Sequence, residues 1–201
     1  MPKNILITGF EPFGGEAINP SLEAVMALPG EIDGTKVTKM SLPVVFDKSA
    51  DVLFEALKNA SYDAIVSVGQ AGGTSKITIE RIAINIDDTK SPDNDGNSPI
   101  DQQIAQGAPV AYFATLPIKK ILQNLIDQKI PATISNTAGT YVCNHIMYQV
   151  LHHIAQNNLK IQSGFIHIPY LPEQTLEKPA NTPSMPLENI IAALKIIIQS
   201  I

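Results

Sequence analysis

Short apolar runs rich in β-branched residues alternate along the chain with longer stretches whose apolar positions recur every three or four residues. The short runs read as buried strands and the longer ones as amphipathic helices. Their alternation predicts a twisted, mostly parallel sheet covered by helices on both faces. Strands are expected over residues 5–8, 37–42, 64–68, 77–86, 110–115, 132–135 and 165–168, and helices over 20–28, 49–60, 118–129, about 142–157 and 187–200. In the last helix Leu187, Ile190, Ile191, Leu194, Ile197, Ile198 and Ile201 trace one face, which should dock on the sheet. Ile196 lies off that stripe and leaves room for a subunit contact, although an ordinary buried face is the simpler reading. The fold class is α/β: a single-domain α/β/α sandwich over residues 1–201, without internal repeats or a linker. Two stretches rich in Asp, Asn, Gly and Pro, 87–106 and 170–186, read as loops over a site.

Composition narrows the classes of function. The 201 residues are 44% hydrophobic, enough for one core, and 16% charged, with 14 Lys+Arg against 19 Asp+Glu. A net charge of −5 gives no footprint for nucleic acid or an anionic membrane. No apolar run approaches the roughly 20 residues of a membrane span, and Lys195 and Gln199 interrupt the isoleucine-rich end. Met1-Pro-Lys-Asn leads almost directly into a strand without the apolar core of a signal peptide, so a cytoplasmic location is expected. Cys143 is the single cysteine, which excludes an internal disulfide and a cysteine-rich zinc site.

Three segments could carry chemistry. Gly9-Phe-Glu-Pro-Phe-Gly-Gly15 joins the first strand to the first helix, where α/β folds bind ligands. Its spacing is neither a dinucleotide fingerprint nor a Walker loop. Phe10 and Phe13 either plug the core or wall a small, flat apolar pocket. Next, Gly69-Gln-Ala-Gly-Gly73 leads into an apolar run carrying Glu80 and Arg81, the only arginine. Strand neighbours point to opposite faces, so these two charges should not pair with each other, and each needs another partner. Last comes Ser135-Asn-Thr-Ala-Gly-Thr-Tyr-Val-Cys-Asn-His145, a strand end, a turn and a helix start, with Cys143 in the first helical turn. There the helix dipole and free N–H groups favour a thiolate and a developing oxyanion. A lone cysteine is more often a small buried hydrophobe. A thiolate nucleophile wants an imidazole. His145 should point away from Cys143, His152 and His153 read as solvated or packing residues, and His167, near the end of a late strand, remains as the partner. With Glu80 it completes a cysteine, histidine and carboxylate set.

In these segments the chain resembles the type I pyroglutamyl peptidases. Thr8-Gly-Phe-Glu-Pro-Phe-Gly-Gly, Gly69-Gln-Ala-Gly-Gly through Glu80-Arg-Ile-Ala-Ile-Asn, and the segment 135–145 carry the likeness. Pro92-Asp-Asn-Asp-Gly, Phe165-Ile-His-Ile-Pro and Pro183-Ser-Met extend it over essentially the whole chain. The resemblance implies a phosphorylase/hydrolase-like fold and a cysteine peptidase that removes N-terminal pyroglutamate from peptides. In that reading Cys143 is the nucleophile, His167 the general base then acid, and Glu80 the group that orients His167. It also implies a cytoplasmic homotetramer or homodimer, no metal and no other cofactor. By the same resemblance Phe10 and Phe13 sandwich the lactam ring, Asn19, Gln70 and Val142 help build its pocket, and the Cys143 N–H and Lys90 support the oxyanion. A flat neutral ring without an ammonium suits aromatic faces and a few amide hydrogen bonds.

The chain departs from the family pattern at Lys90, where a lysine replaces the expected arginine and keeps the charge without the planar fork. Thr74 and Ile79 stand where Arg and Pro are expected. Two other functions share the architecture: a weakly active or inactive α/β domain that binds a small ligand between the phenylalanines, and a nucleotide-handling protein. Activated thiol chemistry at Cys143 separates the peptidase from both.

Overall fold

Residues 3–201 are described by a computed structural model, with Met1 and Pro2 of the expected leaderless start outside them. The order is β1 (Asn4–Phe10), α1 (Pro20–Met26), β2 (Glu31–Ile32), β3 (Thr35–Leu42), α2 (Lys48–Asn59), β4 (Ala64–Gln70), β5 (Ile77–Glu80), β6 (Ile82–Ile84) and β7 (Ala111–Phe113). There follow α3 (Ile118–Asp127), β8 (Ala132–Ser135), α4 (Val142–Gln156), β9 (Gln162–Ile168) and α5 (Leu187–Ser200). The main sheet runs β2-β3-β1-β4-β9-β5-β8. Strands β3, β1, β4 and β9 are mutually parallel, whereas β5 runs against β9 and β2 against β3.

Burial on both faces explains the near-continuous apolar strands. Alternate residues of β1 go to opposite cores: Ile5 and Ile7 pack under α1, α3 and α5, while Leu6 and Phe10 pack on the side of α2 and α4. In β9 Ile166 and Ile168 join the first cluster and Phe165 the second. The stripe of α5 docks as expected through Ile190, Leu194, Ile197 and Ile198, and Ile196 packs against the same cluster. The face that holds Phe10, Gly69 and His167 is therefore the one covered by α4.

Three strand expectations need correction. The run 77–86 is two strands. At Arg81 the backbone N–H still donates to Ser135 O, but the carbonyl accepts from Ala114 N–H, and the chain leaves the sheet. Beyond it β6 pairs antiparallel with β7 alone, Ala83 opposite Tyr112. The strand expected over 110–115 is thus a three-residue partner of β6 outside the main sheet. Strand β2 was not expected at all, although Asp33 and Gly34, both at positive φ, make the tight Asp-Gly turn that announces a hairpin. Of the two loop regions, 87–106 is irregular and 170–186 contains a short 3-10 helix, Pro172–Thr175. Among the described residues no helix is long and apolar enough to cross a membrane.

Candidate active site

Strand register brings the expected trio together. Gly69 of β4 lies opposite His167 of β9 in a parallel pair, so both direct their side-chain positions to the same face. A Cβ on Gly69 would come within 3.0 Å of Cys143 Sγ and 2.7 Å of the Phe165 ring. The sulfur thus hangs over the β4–β9 pair at the level of His167, and only glycine leaves it that room. From the other side β5 runs against β9 with Thr78 opposite His167. Two residues further on, Glu80 therefore projects from the same face as Thr78, one step below the imidazole. His167 Nδ1–H donates to Glu80 Oε1 at 2.8 Å, which leaves Nε2 for the thiol. In the mostly parallel sheet that the sequence predicts, Glu80 is the exception: it arrives on a strand antiparallel to β9.

Glu80 is 2% exposed, and its other oxygen, Oε2, has no partner among the described residues. A buried carboxylate with so little solvation is stabilised chiefly by a cation beside it. Burial by itself would push the His167 imidazole down, but attraction to Cys143 and to Glu80 overrides it and raises the pKa to about 9. The attraction favours an imidazolium next to the sulfur, the electrostatic partner that thiolate chemistry needs. Cys143 is the second residue of α4, whose start carries no side-chain cap. Its first N–H groups are left for a ligand.

A cavity of about 40 Å³ adjoins the sulfur, lined by Phe10, Phe13, Asn19, Val44, Gly69, Gln70, Tyr141, Val142 and Cys143. All five expected pocket residues, Phe10, Phe13, Asn19, Gln70 and Val142, are among them. Asn19 is also the cap of α1: its Oδ1 accepts from Ser21 N–H, and its Nδ2 donates to Glu11 O, which fixes the phenylalanine loop. Two walls were not anticipated. Val44 follows Pro43, and Tyr141, whose OH donates to Pro92 O, packs edge-on against Phe46. Burial pushes the Tyr141 phenol up to about 12, so it stays neutral. A larger surface groove, about 530 Å³ between Phe54, Tyr62, His153 and Ile161, does not include Cys143, Glu80 or His167 in its lining.

Other sequence candidates fall as follows. Arg81 does not pair with Glu80; its Nε donates to Asn136 Oδ1 at 2.8 Å. Lys90 is exposed and is not among the cavity residues, and nothing in the structure joins it to Cys143. Thr74 closes a small turn by accepting from Lys76 N–H, and Ile79 is buried in the core under α3. His152 bonds to Tyr112 OH, and His153 stacks on Phe54. Among the described residues no cluster of three or more His, Cys, Asp or Glu could hold a metal ion.

Two framework residues beside the nucleophile were missed. Asn144, fully buried, accepts from Ile84 N–H and donates to Ile84 O and Ile86 O. His145, 1% exposed, donates from Nδ1 to Asp87 at 2.7 Å and accepts from Asp47 N–H at Nε2. The signal was present in the sequence: two polar residues in succession at positions where a helix faces its core.

Comparison with known proteins shows the family. A model of the pyroglutamyl peptidase family matches residues 3–201. The chain is 53% identical to pyrrolidone-carboxylate peptidase of Thermosipho africanus, over 98% of this chain and 96% of that one. The pyrrolidone-carboxylate peptidase of Treponema denticola is 50% identical, over 98% and 92%. The crystal structure of pyroglutamyl peptidase I from Bacillus amyloliquefaciens superposes with a TM-score of 0.96 at 49% identity, covering 100% of this chain and 95% of that one. From sequence, fold and the arrangement around Cys143 together, the chain belongs to the pyroglutamyl peptidase family.

Proposed function

We propose that the protein is a thiol omega-peptidase that hydrolyses the amide bond after an N-terminal pyroglutamyl residue and releases 5-oxoproline, with residues 1–201 acting as one catalytic domain. The observation that carries this reading is the phenylalanine-lined cavity opening on Cys143, whose neighbour His167 is bonded to the buried Glu80. Cys143 sulfur attacks the pyroglutamyl carbonyl carbon, and the displaced electron pair rests on an oxygen facing the N–H at Cys143. Collapse of this adduct breaks the C–N bond while the imidazolium gives its proton to the leaving amine. The neutral imidazole then takes a proton from water as it attacks the thioester, and the thiolate leaves. Phe10 and Phe13 supply faces for the lactam ring, and the lack of a carboxylate among the cavity residues suits a substrate without an ammonium. The substrates are N-terminally pyroglutamylated peptides. The same reading makes the protein a cytoplasmic homotetramer or homodimer; Val110 and Phe113, 85% and 67% exposed, offer apolar surface for such contacts.

Release of fluorophore from an L-pyroglutamyl amide under reducing conditions tests the proposal, with an unmodified glutamyl amide as control. Turnover of the first substrate alone, lost in Cys143→Ala, is the expected result. Folded, reduced protein without turnover would leave a small-ligand-binding domain in its place.

A further inference from the structure

The chain turns at Asp47 in a way that an L residue resists. With φ 52° and ψ −52° at Asp47, and Lys48 N–H donating to Phe46 O, the segment is a γ-turn of positive φ. This conformation is rare and strained for any residue but glycine, and it persists only where the surroundings impose it. His145 supplies that constraint. Asp47 N–H can only donate, and it donates to His145 Nε2 at 3.1 Å, so the ring proton sits on Nδ1 and goes to Asp87 Oδ2 at 2.7 Å. Asp87 is pinned in turn by Gln102, with which it exchanges both backbone hydrogen bonds. The Asp47 carboxylate, 81% exposed and 3.5 Å from Nε2, faces a nitrogen that carries no proton in this arrangement.

The turn also sets a wall of the cavity. Phe46 lays its ring edge-on against both Tyr141 and His145, with centroids 5.5 Å away in each case, and its N–H donates to Asp93 Oδ2. Val44, two residues earlier, lines the cavity beside Cys143, as does Tyr141. We infer that His145 is a positioning residue: by accepting the Asp47 N–H it holds the strained turn that seats Phe46 against Tyr141, and so keeps the Val44 and Tyr141 walls formed before a ligand arrives. The inference rests on the pyroglutamyl reading and deepens it. Without the acceptor the turn relaxes, and the ring binds only the fraction of molecules whose wall is in place. Apparent affinity then falls by that fraction.

The test compares parent protein with His145→Asn, His145→Gln, Asp47→Gly and the double variant His145→Asn/Asp47→Gly. Asparagine is long enough to replace Nδ1 and its bond to Asp87 but offers nothing at the place of Nε2, whereas the glutamine amide reaches that place with an acceptor. His145→Asn should raise KM for an L-pyroglutamyl amide, and Ki for 2-pyrrolidinone as the bare ring, about tenfold, with kcat moving much less. His145→Gln should stay within about twofold of the parent, since it keeps the acceptor for Asp47 N–H. Glycine adopts the turn without strain, so Asp47→Gly should leave KM near the parent value by itself and recover most of the loss in the double variant. Asp47→Val burdens the same turn without touching α4; it should raise KM as His145→Asn does, and it carries the test if His145→Asn folds poorly. Unchanged KM and Ki in His145→Asn and Asp47→Val, or equal losses in His145→Asn and His145→Gln with no recovery by Asp47→Gly, would overturn the inference. Parent protein whose Cys143 is alkylated rapidly by iodoacetamide with no protection by 2-pyrrolidinone would instead overturn the pyroglutamyl reading itself, and this inference with it.

Discussion

Glu80 holds the imidazole by one oxygen and has no other partner among the described residues, so its role can be isolated by a change that keeps shape and removes charge. Glu80→Gln presents either an amide oxygen or an amide nitrogen to Nδ1 and stabilises no imidazolium. We expect kcat for an L-pyroglutamyl amide to fall about a hundredfold or more, with KM little changed. Because His167 is held protonated up to about 9, kcat/KM should decline as pH rises through that value, when the acid for the leaving amine is lost. A pH profile of the parent enzyme checks the upper limb. In Glu80→Gln the limb should move to lower pH, since one of the two attractions that raise the imidazole is gone. At this scale the sequence was informative where position and residue type coincide: a cysteine in a first helical turn, a histidine near a strand end, a glutamate in an apolar run. For Asn144 and His145 it showed only that two successive polar residues fall on a buried helix face; their partners Ile84, Ile86, Asp87 and Asp47 lie 58 to 98 residues away along the chain.

Elements set the distances within which those residues act. Gly69 is the point where β4 passes under the start of α4. Gly69→Ala should displace either the sulfur or the Phe165 ring, and a shift of this size costs about a hundredfold in kcat. Thermal unfolding should move much less than activity, which separates a misplaced nucleophile from a general loss of fold. Asn144 does the opposite task, binding α4 to β6 through three hydrogen bonds. Asn144→Ala leaves a buried N–H and two buried carbonyls without it, and should cost about 3 kcal/mol by urea unfolding. Helices and central strands were legible because their burial is periodic, from β1 through β4 to the stripe of α5. The break at Arg81 was not, because the apolar pattern of 77–86 runs on through it. What ends the strand is a change of backbone partner, from Ser135 O on one side of Arg81 to Ala114 N–H on the other. Pattern also could not supply the direction of β5, on which the placement of Glu80 under His167 depends.

Across the whole molecule the charged pair in the site should appear as a pH-dependent stability. His167 has its folded pKa raised, from 6.5 to about 9, so its contribution is fully present below pH 6.5 and is lost as pH rises through about 9. His152, lowered by burial and then by His153, acts in the opposite sense and below 6.5, outside that window. Tm should therefore fall between pH 6.5 and 9 in the parent protein, and that slope should flatten in His167→Gln. The layered fold itself was readable from the alternation of strands and helices, whereas the antiparallel run of β5 against β9 and the side sheet of β6 and β7 follow from pairings that leave no local trace. Trapping the acyl-enzyme tests most directly whether this fold makes Cys143 a nucleophile toward a pyroglutamyl carbonyl. Parent protein mixed with excess L-pyroglutamyl ester and quenched in acid within the first turnover should gain the mass of one pyroglutamyl group. Peptide mapping should place that group on Cys143. Turnover of the substrate with no adduct on Cys143, and with activity retained in Cys143→Ala, would contradict the account.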